Sequence, residues 1–125
     1  MSLDLLYIDD EPDIRELVEI SLEMDGRISV RTVPDGAAGL SSFAQKPADA
    51  VLLDVMMPGM DGPQVLERLR KLPSGAQVPV IFFTAHTRAD ERERLLTMGA
   101  QTVLIKPFDP LTLAGDILAA LGSAS

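Results

Sequence analysis

Short apolar runs alternate with amphipathic stretches along the chain, and the alternation repeats five times, as expected of successive βα units rather than hairpins. Leu3 to Ile8 is a first strand. Pro12, suited to a first helical turn, opens a helix whose Ile14, Leu17, Val18, Ser21 and Leu22 share one face and which ends near Gly26. Ile28 to Val33 is a second strand, and Pro34-Asp35-Gly36 turns into a helix through about Gln45. The third strand, Ala50 to Asp54, is almost wholly apolar and ends on an acid. Asp61 suits the N-cap of a helix running to about Lys71, which Pro73-Ser74-Gly75 breaks. A fourth strand over Val78 to Thr84 leads to a polar helix from about Arg88 to Met98 that stops at Gly99. Thr102 to Ile105 is a fifth strand and Pro110 to Leu121 a last helix.

Composition narrows the class. The 125 residues, 46% of them hydrophobic, suit one α/β domain with helices on both faces of a sheet. Nineteen acids against eleven Lys and Arg give a net charge of −8, which repels phosphate backbones and anionic lipid. Direct nucleic-acid and membrane binding are therefore not expected, whereas a protein or cation partner fits. The chain has no cysteine, hence no disulfide, thiolate metal site or thiol nucleophile, and no apolar run long enough for a signal peptide or a membrane span. A cytoplasmic location is expected.

Candidate chemistry gathers at the strand ends. If all strands are parallel, Asp9-Asp10-Glu11 after the first, Asp54 on the third, Thr84 on the fourth and Lys106 after the fifth converge at the carboxyl edge of the sheet, where such folds place their ligands. Two or three carboxylates hold a hard cation through oxygen, a hydroxyl donates a hydrogen bond, and a lysine brings a mobile positive charge. A phosphoryl group is the ligand that needs all three. Acids about 4 Å apart repel by ~1 to 4 kcal/mol per pair, so such a cluster costs stability unless a cation or Lys106 offsets it. Taken singly, each residue has a plainer reading. Asp-Asp-Glu-Pro before a helix complements the helix dipole, Thr84 is an ordinary β-branched strand residue, and Lys106 a solvated charge. Their joint spacing favours the site. Asp61, between Gly59 and Gly62, is read as a helix cap rather than a participant in chemistry.

The acidic pair Asp9-Asp10, the block Asp54-x-x-Met57-Pro58-x-x-Asp61-Gly62, the pair Thr84-Ala85 and the run Lys106-Pro107-Phe108 resemble, in order and spacing, the receiver domains of two-component response regulators. The resemblance covers essentially the whole chain, residues 1–121, leaving 122–125 as a disordered tail or the start of a linker. It implies a doubly wound, flavodoxin-like parallel sheet in the order 2-1-3-4-5 with five helices. It also implies that Asp54 accepts a phosphoryl group from a phosphohistidine of a sensor histidine kinase or a histidine phosphotransfer protein. The domain would catalyse its own phosphotransfer and slow dephosphorylation, acting chiefly as a switch on a downstream protein target or a fused output domain. By the family pattern Mg²⁺ is the cofactor, ligated by the side chains of Asp10 and Asp54 and the backbone carbonyl of Met56, with Asp9 holding water ligands. Thr84 and Lys106 contact the phosphoryl oxygens, and Lys106-Pro107 is a cis peptide. In the family, the residues two past the phosphorylated Asp and two past the Thr flank the path of the hydrolytic water, here Met56 and His86. A lone His in such a loop is usually only exposed.

Two alternatives stand beside this reading. A pseudo-receiver would keep the fold as an interaction module without phosphorylation, although the full set of acids, Thr and Lys favours the phosphoacceptor. A flavin binder of the same topology needs a neutral phosphate loop after the first strand, where three acids stand instead. One departure from the family also matters. Many receivers carry Tyr or Phe three residues before the lysine, and this chain has Val103. The last helix carries two apolar stripes, Leu111, Ala114, Leu118 and Leu121 on one and Leu113, Ile117 and Ala120 on the other, more than one buried face needs. Leu113, Ile117 and Val103 are accordingly read either as core or as a surface for a partner or a homodimer through the fourth helix, fifth strand and fifth helix. Met56, Met57 and Met60 are read as packing residues.

Overall fold

In the computed structural model, which describes residues 2–85 and 88–122, strands and helices alternate along the chain. The strands are β1 (Leu3–Ile8), β2 (Ile28–Val33), β3 (Ala50–Asp54), β4 (Val80–Thr84) and β5 (Thr102–Ile105); the helices are α1 (Pro12–Asp25), α2 (Gly36–Gln45), α3 (Gly62–Lys71), α4 (Ala89–Thr97) and α5 (Leu113–Gly122). All pairings are parallel, as the alternation led us to expect, in the order β2-β1-β3-β4-β5, the flavodoxin-like arrangement that the resemblance implied. Ile8 pairs with Leu53, Asp54 with Phe83 and Thr84 with Ile105, so the tips of four strands lie level at one edge.

Period-two alternation along the strands divides the core into two layers. Leu6, Ile8, Leu53 and Phe82 pack with Phe43 of α2, Val65 and Leu69 of α3 and Leu95 of α4. Leu5, Tyr7, Leu52 and Phe83 pack on the opposite face with Val18 and Leu22 of α1 and Leu113 and Ile117 of α5. Burial of each such aliphatic or aromatic side chain contributes roughly 1.5–3 kcal/mol, and β3, buried at all its positions, is held from both sides. Helix ends follow local chemistry. Pro12 occupies the first turn of α1, and Gly26 closes it in the left-handed region at φ 86° while its N–H donates to the Leu22 carbonyl. Asp61 accepts from the Gln64 N–H at 2.9 Å and the Gln64 side chain accepts from the Asp61 N–H at 2.9 Å, a reciprocal cap that makes Asp61 the structural residue expected.

Several expectations are corrected. β4 begins at Val80 rather than Val78, because Pro79 has no N–H for the ladder; its carbonyl still accepts from Val51 at 3.0 Å. α4 occupies Ala89–Thr97, one residue shorter at each end than expected. α5 begins at Leu113 rather than Pro110, since the backbone carbonyl of Asp109 accepts from both Thr112 and Leu113 and its side chain accepts from Leu111, forming a turn first. Leu17, expected on the inner face of α1, is 49% exposed beside Ile20, while Val18, Ser21 and Leu22 face inward. Leu113 and Ile117 are buried in the layer under α1 and α5, and Val103 is buried in the other layer, so the three form no common surface. Of the apolar residues expected on the last helix, Leu111 is 86% exposed, in the turn before α5.

Candidate functional site

The carboxyl edge of the sheet gathers the acids. Asp9, immediately after β1, is fully buried; Asp54, the last residue of β3, is 4% exposed; Asp10 is half-buried and Glu11 exposed. Each of these four offers a carboxylate oxygen within 4.8 Å of the others. Lys106, immediately after β5, bridges three of them, with Nζ 2.8 Å from Oδ2 of Asp9, 3.2 Å from Oδ1 of Asp54 and 4.0 Å from Oε1 of Glu11. Its position is fixed from behind, because its backbone N–H donates to the Thr84 carbonyl at 2.7 Å and Nζ lies 5.3 Å from the centre of the Phe83 ring. The Lys106-Pro107 peptide is cis, as the resemblance implied. Thr84 is buried at the tip of β4.

Electrostatics follow from this crowding. Burial, then the negative charge of Asp9, push the Asp54 carboxyl up from 3.8 to about 6, against the pull of Lys106. Burial works against the charge on Lys106, but its hydrogen bond to Asp9 and the charges of Asp54 and Asp9 outweigh that and raise it. One lysine among four acids leaves an excess of negative charge in a hard, all-oxygen donor set, which suits a divalent cation. The set fits Mg²⁺ by donor chemistry.

The loop after β3 is shaped by close approach. The Gly62 N–H donates to the Val55 carbonyl at 2.8 Å, and a Cβ at residue 62 would lie 2.5 Å from the Asp54 carbonyl oxygen and 3.0 Å from Val55 Cα. Only glycine lets α3 start this near the acid. Met57 packs into the core with Met60 against it, as expected, whereas the Met56 side chain is 64% exposed rather than a packing residue.

Comparison with known proteins places this geometry. Residues 5–117 match the family described as response regulator receiver domain. The chain belongs to the response regulator receiver domains. It is 39% identical over 111 residues to the "Uncharacterized 14.6 kDa protein in sodA1 3'region" of Leptolyngbya boryana, covering 89% of this chain and 84% of that protein. It is 40% identical over 119 residues to the transcriptional regulatory protein CseB of Streptomyces coelicolor, covering 94% of this chain but 48% of CseB, so it spans about half that regulator's length. Among solved structures, the chemotaxis protein CheY4 of Vibrio cholerae superposes with a TM-score of 0.88 at 28% identity, covering 96% of this chain and 99% of CheY4. This is a receiver domain of two-component signalling, and no helix among its described residues is long and apolar enough to cross a membrane.

In this receiver domain every residue singled out at the strand tips, Asp9, Asp10, Asp54, Thr84 and Lys106, lies at one edge, with Met56 in the adjoining loop. His86 lies outside the described residues. Two contributors were not singled out from sequence. Arg15 of α1 donates from Nη1 to the Asp9 carbonyl at 2.7 Å, and the Tyr7 hydroxyl donates to Oδ2 of Asp9. Burial and that hydrogen bond push the Tyr7 phenol well above its ordinary range, so it stays a donor. A signal for Tyr7 existed: it is the one ring in an aliphatic strand, and residues two apart on a strand point the same way, toward Asp9.

Proposed function

We propose that this receiver domain is a phosphoacceptor switch in which Asp54 takes a phosphoryl group from a phosphohistidine of a sensor histidine kinase or histidine phosphotransfer protein. The observation that carries the reading is Lys106 Nζ, held between the buried carboxylates of Asp9 and Asp54 at 2.8 and 3.2 Å. An oxygen of ionised Asp54 attacks phosphorus; the P–O bond forms as the P–N bond breaks, and the electron pair leaves with the imidazole of the donor. With its carboxyl at about 6, Asp54 is largely ionised at neutral pH and ready as the nucleophile. Lys106 lies close enough to follow the charge onto the new phosphoryl oxygens, and the Thr84 hydroxyl is the second group at that edge. Asp10, Asp54 and the Met56 carbonyl would hold Mg²⁺, with Asp9 acting through water. Bound there, the ion would offset the negative charge of the acids and of the phosphoryl oxygens.

The phosphorylated domain would then act on a downstream protein target or a fused output domain, in the cytoplasm, with residues 1–121 as the domain and the last four residues as tail or linker. Intact-mass measurement after incubation with acetyl phosphate and Mg²⁺ tests the reading: one phosphoryl group added to wild type and none to Asp54→Asn. No addition to wild type would favour the pseudo-receiver.

A further inference from the structure

Tyr7 is the one tyrosine of the chain and there is no tryptophan. Its ring is fully buried on β1, edge-on to Phe83 with centroids 6.0 Å apart, and Phe83 in turn packs on Phe108 at 5.7 Å. The hydroxyl donates to Oδ2 of Asp9, and that same oxygen accepts from Lys106 Nζ at 2.8 Å. The other Asp9 oxygen, Oδ1, accepts from the Glu11 N–H at 3.0 Å. A fully buried carboxylate thus has three donors, two of them on one oxygen, and just one of the three is a mobile cation.

The doubled donors have a use. Lys106 is shared between Asp9 and Asp54, and when Asp54 carries a phosphoryl group the new oxygens compete for it. If Lys106 were the sole protein donor on Oδ2, its departure would leave a buried anionic oxygen with no donor from the chain, so the lysine would be held back. An aliphatic residue or phenylalanine at residue 7 offers no substitute. A phenol on a fully buried ring packed against Phe83 does, and that packing holds it on Asp9 as the lysine leaves.

We propose that Tyr7 is a positioning residue: its hydroxyl keeps Asp9 hydrogen-bonded and oriented while Lys106 turns to the phosphoryl group, and its emission reports that hydrogen bond. This rests on the phosphoacceptor reading. An excited phenol gives up its proton readily to a carboxylate acceptor, so the bond to Asp9 quenches tyrosine emission, and in this chain all of that emission comes from Tyr7.

The test uses the full chain with acetyl phosphate and Mg²⁺. Tyr7→Phe keeps the ring and removes the donor. Its phosphorylation rate at saturating donor should fall by about ten-fold or more, the effect of losing one hydrogen bond to an ionised group, with KM for acetyl phosphate unchanged because Tyr7 does not reach the donor. In wild type, emission should be quenched relative to Asp9→Asn and stay quenched as Asp54 becomes phosphorylated. A lowered melting temperature in Tyr7→Phe with an unchanged phosphorylation rate would reduce Tyr7 to a core residue and overturn the proposal. A rise of wild-type emission on phosphorylation would overturn it too, by showing that the phenol lets go; this arm decides even if Tyr7→Phe fails to fold. No phosphoryl uptake by wild type, or uptake that persists in Asp54→Asn, would instead overturn the phosphoacceptor reading and this proposal with it.

Discussion

At the scale of single residues, Asp54 is pulled two ways. The site needs its charge, and the fold does not, because burial and Asp9 both favour the protonated form. Unfolded, Asp54 loses its proton near 3.8; folded, it holds it to about 6. Well below 3.8 both states are protonated and nothing is lost. Between these values the folded state binds more protons than the unfolded one, so stability falls as pH rises, by about 2 to 3 kcal/mol once pH passes 6. In EDTA, Asp54→Asn should therefore melt higher than wild type at pH 7.5, with the gap much narrower at pH 4 and closed near pH 3. A gap independent of pH would mean that the asparagine acts through something other than charge. Met56 supplies the companion case in kinetics. Its exposed thioether offers no strong donor or acceptor to orient a water, so Met56→Asn should speed loss of the phosphoryl group, read by the decay of the phosphorylated mass. An unchanged or slower decay would remove Met56 from the hydrolytic path.

Elements were legible in the sequence to the extent that one local cause fixed them. The five strands, the Gly26 stop and the Asp61 cap each rest on a pattern or a residue with a single preferred conformation. Errors arose where two causes compete. Pro110 is an excellent first helical residue, yet Asp109 captured three backbone N–H groups and delayed α5 to Leu113. The two apolar stripes of α5 could not be ranked without knowing where α1 and the sheet lie, and Leu113 and Ile117 are buried with Val18 and Leu22 of α1 and with strand residues such as Phe83. In the site, strand-tip residues could be read because a parallel sheet must bring them together. The donors on Asp9 from Tyr7 and Arg15 depend on side-chain direction as well as on topology. The close approach of Gly62 to the Asp54 carbonyl is likewise invisible in sequence, where Gly62 stands only as a neighbour of the Asp61 cap. Its consequence is testable: Gly62→Ala puts a methyl group against backbone that cannot yield cheaply, and overpacking of this kind costs ~1–3 kcal/mol. Urea unfolding should show that loss, and phosphorylation of Asp54 should slow because α3 must back away from the acid. Wild-type stability in Gly62→Ala would show that the helix start shifts freely.

For the whole molecule, charge is the dominant feature. A net charge of −8 opposes compaction, and its densest part is the edge where Asp9, Asp10, Glu11 and Asp54 meet with one lysine among them. A cation bound only by the folded state stabilises it by RT ln(1 + [L]/Kd), about 1.4 kcal/mol at ten times Kd, which for a domain of this size raises the melting temperature by roughly 5 °C. Millimolar Mg²⁺ should produce a rise of this kind. General screening would also help so acidic a chain, so the comparison must be with NaCl at equal ionic strength, which relaxes the overall repulsion without filling the site. Site binding predicts a rise with Mg²⁺ beyond that of NaCl, saturating with concentration and shrinking in Asp54→Asn, where one ligand charge is gone and the metal-free protein is already relieved. Identical curves for the two salts would mean that the edge is only a focus of negative charge, and the cation would have to be dropped from the account of phosphotransfer.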